Sequence, residues 1–271
     1  MFVHIILFFI ILSFIILSFN KLFDTSVDVF LGGSCNPTTW RKDVAIPIFE
    51  KLNVGYYNPQ VDDWSPELIE KEADAKKKAK ILLFVIDGMT RALTSILEAI
   101  AAICSGRRVV LVVNMVEKDA KFGDTPVTAH ELEYLNDARK YLIAMAKAKG
   151  VPLYDTVEEA CHACHSLRDK PSTHSVMAAV AKDAISNTKI LFEIDGKTRA
   201  VDRILEATAA TCSGRQVVLV VNMVKEGAEF DGKPVTAHEL KDLNRVRNYL
   251  IATAKERGVP LYDTVEQACK T

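Results

Sequence analysis

The apolar residues of this chain fall into two patterns. Short continuous runs at Val27–Leu31, Val54–Asn58, Ile81–Ile86, Val109–Val113 and Val151–Tyr154 are followed by glycine, proline, aspartate or asparagine and predict buried strands. Between them lie helix signals. Thr38 or Thr39 can cap a helix to about Leu52, with Pro47 bending or shortening its start. Ser65-Pro66-Glu67 opens a second helix that runs to about Lys78. Thr90–Cys104 carries Leu93, Ile96, Leu97, Ile100 and Ile103 at the helical period. Thr128–Lys149 is a long helix, and Thr156–Cys161 begins a last one. Such alternation predicts an α/β fold with a five-stranded parallel sheet covered on both faces. Ligands of such sheets bind at the carboxyl ends of the strands. That rule selects Gly32–Asn36, Asn58–Trp64, Asp87–Glu98 and Asn114.

Half of this pattern occurs twice. At an offset of 108 residues, Lys80–Cys161 aligns with Thr188–Cys269, and 55 of 82 positions are identical. The repeated stretch supplies only the last three strands, at Lys189–Ile194, Val217–Val221 and Val259–Tyr262. Nothing in His162–Asn187 resembles Val27–Asn58, and His174–Ser186 reads as a substitute helix. The expected organisation is an apolar helix at 1–20, a full domain at 27–161, a linker and helix at 162–187, and an incomplete duplicate at 188–271. A three-stranded fragment leaves an edge that proteins normally cover. The duplicate is therefore expected to pack on the first domain or on a second chain.

Composition changes this picture mainly at the start. Met1–Phe19 is almost wholly Ile, Leu, Phe and Val, long enough for one bilayer crossing. It lacks the basic start and small-residue exit of a cleaved signal. Lys21, Arg41 and Lys42 follow it, which predicts a single-pass membrane protein with its remainder in the cytoplasm. No unblocked Asn-x-Ser/Thr acceptor occurs, and four of the six cysteines are repeat-related (Cys104 with Cys212, Cys161 with Cys269), unlike a disulfide framework. A formal net charge of −1 excludes a global field for nucleic acid. The Lys76–Lys80 run reads as solvated helix surface.

The residues with chemistry form one series: Leu31-Gly32-Gly33-Ser34, Trp40-Arg41, Asn58-Pro59, Asp62 with Trp64, Asp87, and Ser95-x-x-Glu98. In order and strand-end placement this series resembles the nucleoside 2-deoxyribosyltransferase family, in particular its divergent branch, over Val27–Asn114. With the apolar lead it is also similar to the Raw-type membrane proteins of animals, which act in signalling. The resemblance implies a flavodoxin-like fold and transfer at the anomeric carbon of a deoxynucleoside. Glu98 then matches the nucleophile, since a carboxylate can stabilise an oxocarbenium-like transition state and trap it covalently. Asp87 would handle the base or its proton. Gly32, Gly33 and Ser34 would admit sugar or phosphate to the backbone, and Asn58, Asp62 and Trp64 would wall the base pocket. Trp40, Arg41, Ser95 and Asn114 complete the expected binding set. Beyond Phe30, no aromatic stands near the first strand end.

Blander readings accompany each of these. A glutamate in an amphipathic helix is ordinarily a surface residue, and Asp-Gly after a strand is ordinarily a turn. The duplicate keeps Asp195, Glu206 and Asn222 but has Arg203 in place of Ser95, so a second active site is not expected there. Cys161-His162-Ala163-Cys164-His165 has the spacing of haem attachment or a zinc half-site, yet Cys161 recurs as Cys269 without the other ligands. It reads as packing, so neither a metal nor a cofactor is expected. His130 and His238 open matching helices and read as structural. The partners expected are a nucleoside or nucleotide, the membrane through residues 1–20, and no nucleic acid polymer, with homo-oligomerisation open. Two functions remain in contention: N-glycosyl transfer or hydrolysis through Glu98, or a non-catalytic signalling or scaffold protein using the fold as a binding module.

Overall fold

A computed structural model of the chain describes residues 27–60, 67–170 and 188–270. Its first body is a parallel sheet of strands β1 (Val29–Gly33), β2 (Tyr56–Tyr57), β3 (Ile81–Ile86), β4 (Val109–Val113) and β7 (Leu153–Tyr154), in the order β2-β1-β3-β4-β7. This is the doubly wound order, with the chain reversing direction across the sheet between β1 and β3. Pairing is in register, with Leu31 beside Leu83 and Phe84 beside Leu111. β1 and β3 are buried along their whole length, as continuous apolar runs require when both faces are covered.

One face carries Val29, Leu31, Ile81, Leu83, Val85, Val110 and Val112. It packs beneath a π-type turn (Arg41–Ala45), helix α1 (Ile46–Lys51) and helix α5 (Val157–Leu167). The other face, with Phe30, Leu82, Phe84, Ile86 and Leu111, packs under α2 (Glu67–Lys78), α3 (Leu93–Cys104) and α4 (Ala129–Ala148). Pro47 lies in the first turn of α1, directly after the π-type turn, whose Arg41 carbonyl accepts from the Ile46 amide. Thr128 caps α4 in a reciprocal capping box with Glu131. α3 begins at Leu93 rather than near Thr90, because Ala92 takes a left-handed conformation (φ 54°) and cannot extend the helix. A two-stranded hairpin, β5 (Lys121–Phe122) with β6 (Thr125–Pro126), interrupts the loop before α4. α5, the last helix that the sequence signals from Thr156 onward, runs through Leu167.

The repeated stretch forms a three-stranded parallel sheet, β12 (Leu261–Tyr262), β9 (Val217–Val221) and β8 (Ile190–Ile194) in that order. It also forms the hairpin β10–β11 (Glu229–Phe230, Lys233–Pro234) and helices α6 (Val201–Cys212), α7 (Ala237–Glu256) and α8 (Val265–Ala268). α6 packs on both α3 and α4, and α7 packs on α3, so the two stretches share one hydrophobic core. Their contacts are reciprocal: Arg91, before α3, meets Asp242 on α7 at 3.5 Å, and its counterpart Arg199 lies 5.8 Å over the ring of Tyr134 on α4. Among the described residues β8 pairs only with β9, and Leu191 and Glu193 stand exposed on one face.

The sequence suggested a single-pass membrane protein, and that localisation is corrected. Among the described residues no helix is long and apolar enough to cross a membrane, because the long helices α4 and α7 are amphipathic and carry many charges. The apolar residues 1–20 lie outside the described residues, as do Asp62, Trp64 and the expected helix at 174–186.

Two buried arginines hold the loops at the sheets' carboxyl edges. Arg139 on α4 donates from Nε to the carbonyl of Asn114 (3.0 Å) and from Nη2 to those of Asp87 (2.8 Å) and Thr90 (2.7 Å). Its Nη1 reaches Leu135 and Arg91. Burial lowers its pKa to about 10. Arg247 repeats the clamp on Asn222, Asp195, Thr198 and Leu243. Replacing Arg139 by methionine leaves several buried carbonyls unpaired at roughly 1–3 kcal/mol each. Urea denaturation is expected to show a loss of at least about 3 kcal/mol for Arg139→Met, and a loss below about 1 kcal/mol would refute the clamp.

Candidate functional site

The β1 end is a tightly held knot of backbone. Gly33 has φ +110°, and a Cβ there would lie 2.1 Å from the carbonyl oxygen of Val85. A Cβ on Gly32 would strike the Phe84 ring at 2.6 Å. Both positions therefore demand glycine for close strand approach. The Ser34 amide donates to Val85 C=O at 2.8 Å, so it is satisfied within the protein.

Arg41 and Trp40 secure this knot. Trp40 Nε1 donates to the Ser34 carbonyl at 3.0 Å. Arg41 donates from Nε to Leu31 C=O (3.0 Å), from Nη1 to Ser34 C=O (2.6 Å) and Gln60 Oε1 (3.1 Å), and from Nη2 to Gly33 C=O (3.3 Å). Its side chain is 2% exposed, and burial lowers its pKa. A guanidinium so engaged positions the loop and has little capacity left for a ligand.

Ser34 then links β1 to the β3 end. Its hydroxyl accepts from the Asp87 amide (3.1 Å) and from Thr90 Oγ1 (2.8 Å). Asp87 Oδ1 accepts from the Met89 amide (2.9 Å) and lies 3.1 Å from Thr90 Oγ1, while Oδ2 is buried without a hydrogen-bond partner among the described residues. Asp87 sits behind the wall formed by Ser34 and Thr90.

In front of that wall opens a cleft of about 960 Å³. Its lining includes Phe30, Gly32, Gly33, Ser34, Ser95, Glu98, Glu72, Arg91 and Phe122. Phe30 stacks on Tyr57 with ring centres 5.7 Å apart. Glu98 Oε1 lies 3.2 Å from Nζ of Lys76, which also reaches Glu72 at 3.5 Å and sits 5.1 Å over the Phe30 ring. Burial alone would lower the Lys76 pKa, but the carboxylates of Glu98 and Glu72 outweigh it and raise the pKa. Arg91 joins Glu131 at 3.0 Å to Asp242 at 3.5 Å and covers Phe122. Asp242 and Arg245, both on α7, complete the rim.

Residues 26–116 match the model of the nucleoside 2-deoxyribosyltransferase-like family. No curated protein and no solved structure matches the chain. The deoxyribosyltransferase-like segment runs from just before β1 to just after β4, so it holds the strand-end series but neither Asp242 nor Arg245.

Within that segment the structure gathers Gly32, Gly33, Ser34, Arg41, Ser95 and Glu98 around the cleft. Trp40 is buried behind it, and Asn114 is exposed outside it. Asn58 accepts from the Gln60 amide at 3.0 Å and turns the chain toward Pro59, which does line the cleft. Sequence reasoning missed Lys76, hidden within a lysine run, and Phe122, on a hairpin too short to show a strand pattern. The cysteine pair is part of the core: Cys161 and Cys164 pack against the sheet, and burial pushes the Cys161 thiol up to about 12.

Because the folded-state pKa of Lys76 is raised above its ordinary 10.5, the stabilisation it supplies is complete below that pH. It is lost as pH rises through the raised value. The stability difference between wild type and Lys76→Met, measured by urea denaturation from neutral to alkaline pH, is expected to shrink above 10.5. A difference that stays constant across that range would refute the pairing.

Proposed function

We propose that the cleft binds a deoxynucleoside or deoxynucleotide and that Glu98 cleaves its N-glycosidic bond. The supporting observation is a carboxylate on α3 that faces the cleft within the deoxyribosyltransferase-like segment and is paired to a partly buried ammonium. In this reading a Glu98 oxygen attacks the anomeric carbon as the bond to the base breaks. The base leaves with the bonding electrons and takes up a proton. Water, or a second base, then attacks the same carbon and releases the Glu98 carboxylate.

Lys76 and Glu72 orient the nucleophile, and Phe30 offers a flat apolar surface against which a base or sugar can lie. Asp87 acts through others in this scheme. Its carboxylate fixes Met89 and Thr90, and through Ser34 it joins the two strand ends that frame the cleft.

The test is release of free base from a panel of deoxynucleosides and their monophosphates, followed chromatographically. Wild type is expected to release base, and Glu98→Ala to do so at least roughly 10³-fold more slowly while remaining folded. Asp87→Asn is expected to lower the rate less than Glu98→Ala does. Equal release by wild type and Glu98→Ala would overturn the catalytic assignment.

A further inference from the structure

The cleft has three guanidiniums on its lining, and two of them are occupied. Arg41 is tied to the carbonyls of the β1 end, and Arg91 lies between Glu131 and Asp242. Arg245 is exposed and has no hydrogen bond or ion pair among the described residues.

Arg245 is also where the two repeats diverge in sign. Their reciprocal packing places Tyr134 and Asp137 of α4 where α7 has Asp242 and Arg245. The equivalent cavity on that side, about 570 Å³, is lined by Tyr134, Tyr141, Val201 and Leu205, with Asp137 among its charges. One repeat thus turns a tyrosine and an aspartate, the latter paired to Lys140 at 2.9 Å, toward a cavity whose lining has no glycine loop. The other turns a pairing carboxylate and an exposed guanidinium toward the cleft that has one. Asp242 holds Arg91, and Arg245, one turn further along α7, forms no ion pair within 4.0 Å among the described residues and stands exposed at the cleft, with Asp242 the carboxylate whose field it feels.

We propose that Arg245, supplied by the repeated stretch, binds a phosphate on the ligand, so that the cleft takes a deoxynucleoside monophosphate in preference to the bare deoxynucleoside. The inference rests on the nucleoside-binding reading given above. A guanidinium suits the role because its planar donors can engage two phosphate oxygens at once. The carboxylates deeper in the cleft would repel a phosphate, whereas Arg245 on the rim attracts it. The monophosphate is thereby oriented with its sugar toward Glu98 and its anion toward α7. The repeated stretch is then part of the binding site, and its α7 decides which substrates stay.

The test uses the full chain and equilibrium dialysis with each deoxynucleoside and its 5′-monophosphate. The proteins are wild type, Arg245→Ala and Arg245→Asp, the last restoring the charge that the first repeat has at this position. Wild type is expected to bind the monophosphate about tenfold or more tightly than the nucleoside, a difference near 1.4 kcal/mol. Arg245→Ala should abolish that preference and Arg245→Asp should reverse it, with nucleoside affinity unchanged. Nucleoside binding without a monophosphate preference in wild type, or a preference that survives both substitutions, overturns the role of Arg245 alone. Binding of neither ligand overturns the nucleoside reading and this one together.

Discussion

Everything at the site depends on how the carboxyl edge of the parallel sheet is satisfied. Strands that stop there leave carbonyl groups pointing past the last ladder bond, and buried carbonyls must find donors. In this chain three buried arginines supply them. Arg41 gathers Leu31, Gly33 and Ser34; Arg139 gathers Asp87, Thr90 and Asn114; Arg247 repeats the second arrangement in the other sheet. A guanidinium is suited to this, because one planar group presents several donors to carbonyls arriving from different loops. Each is desolvated, and the lowered pKa of each reflects that cost. The loops around the cleft are tied down by the charge buried beneath them.

The strands were the most legible part of the sequence. β3 and β4 coincide with the apolar runs Ile81–Ile86 and Val109–Val113, since a strand buried on both faces must be apolar throughout. The start of α3 was less legible, because no residue type announces a left-handed alanine at position 92. The site was legible by position more than by role. Glycine, serine and glutamate at strand ends do frame the cleft, yet Arg41 and Trp40, expected to touch a ligand, are bound to backbone. Lys76 looked like one solvated lysine among several, and only the meeting of α2 with α3 sets it against Glu98. Arg139 did leave a signal, an arginine retained at the same place in both repeats, but so did many residues that only pack. Asp242 and Arg245 left none, for their nearness to the cleft comes from the docking of α7.

The differences between the repeats follow from what each one covers. Ile81, Leu83 and Val85 are buried beneath the turn, α1 and α5 in the first sheet. Their counterparts are Lys189, Leu191 and Glu193, with Glu193 exposed on β8. No described element of the repeated stretch corresponds to the turn and α1, and charged residues have replaced two of the three apolar ones. Inward-pointing charge on an edge strand is also a recognised defence against pairing with foreign strands. On the opposite face, where α6 and α7 meet α3 and α4, Phe192, Ile194 and Leu219 remain buried. Two of the apolar positions under the lost cover have become charged, while Phe84, Ile86 and Leu111 on the opposite face recur unchanged as Phe192, Ile194 and Leu219.

The shared core between the repeats has a consequence for how the cleft can exist. Two separate chains meeting through such reciprocal helices would form their rim only when associated, so its completeness would vary with concentration. Here floor and rim belong to one polypeptide, and dilution cannot part them. A symmetric pair of chains must also accept every substitution twice, once on each side of its axis. A tandem pair is free of that rule. Asp242 and Arg245 can face one cavity while Tyr134 and Asp137 face the other, so one molecule carries two unlike hollows where symmetry would have enforced two alike.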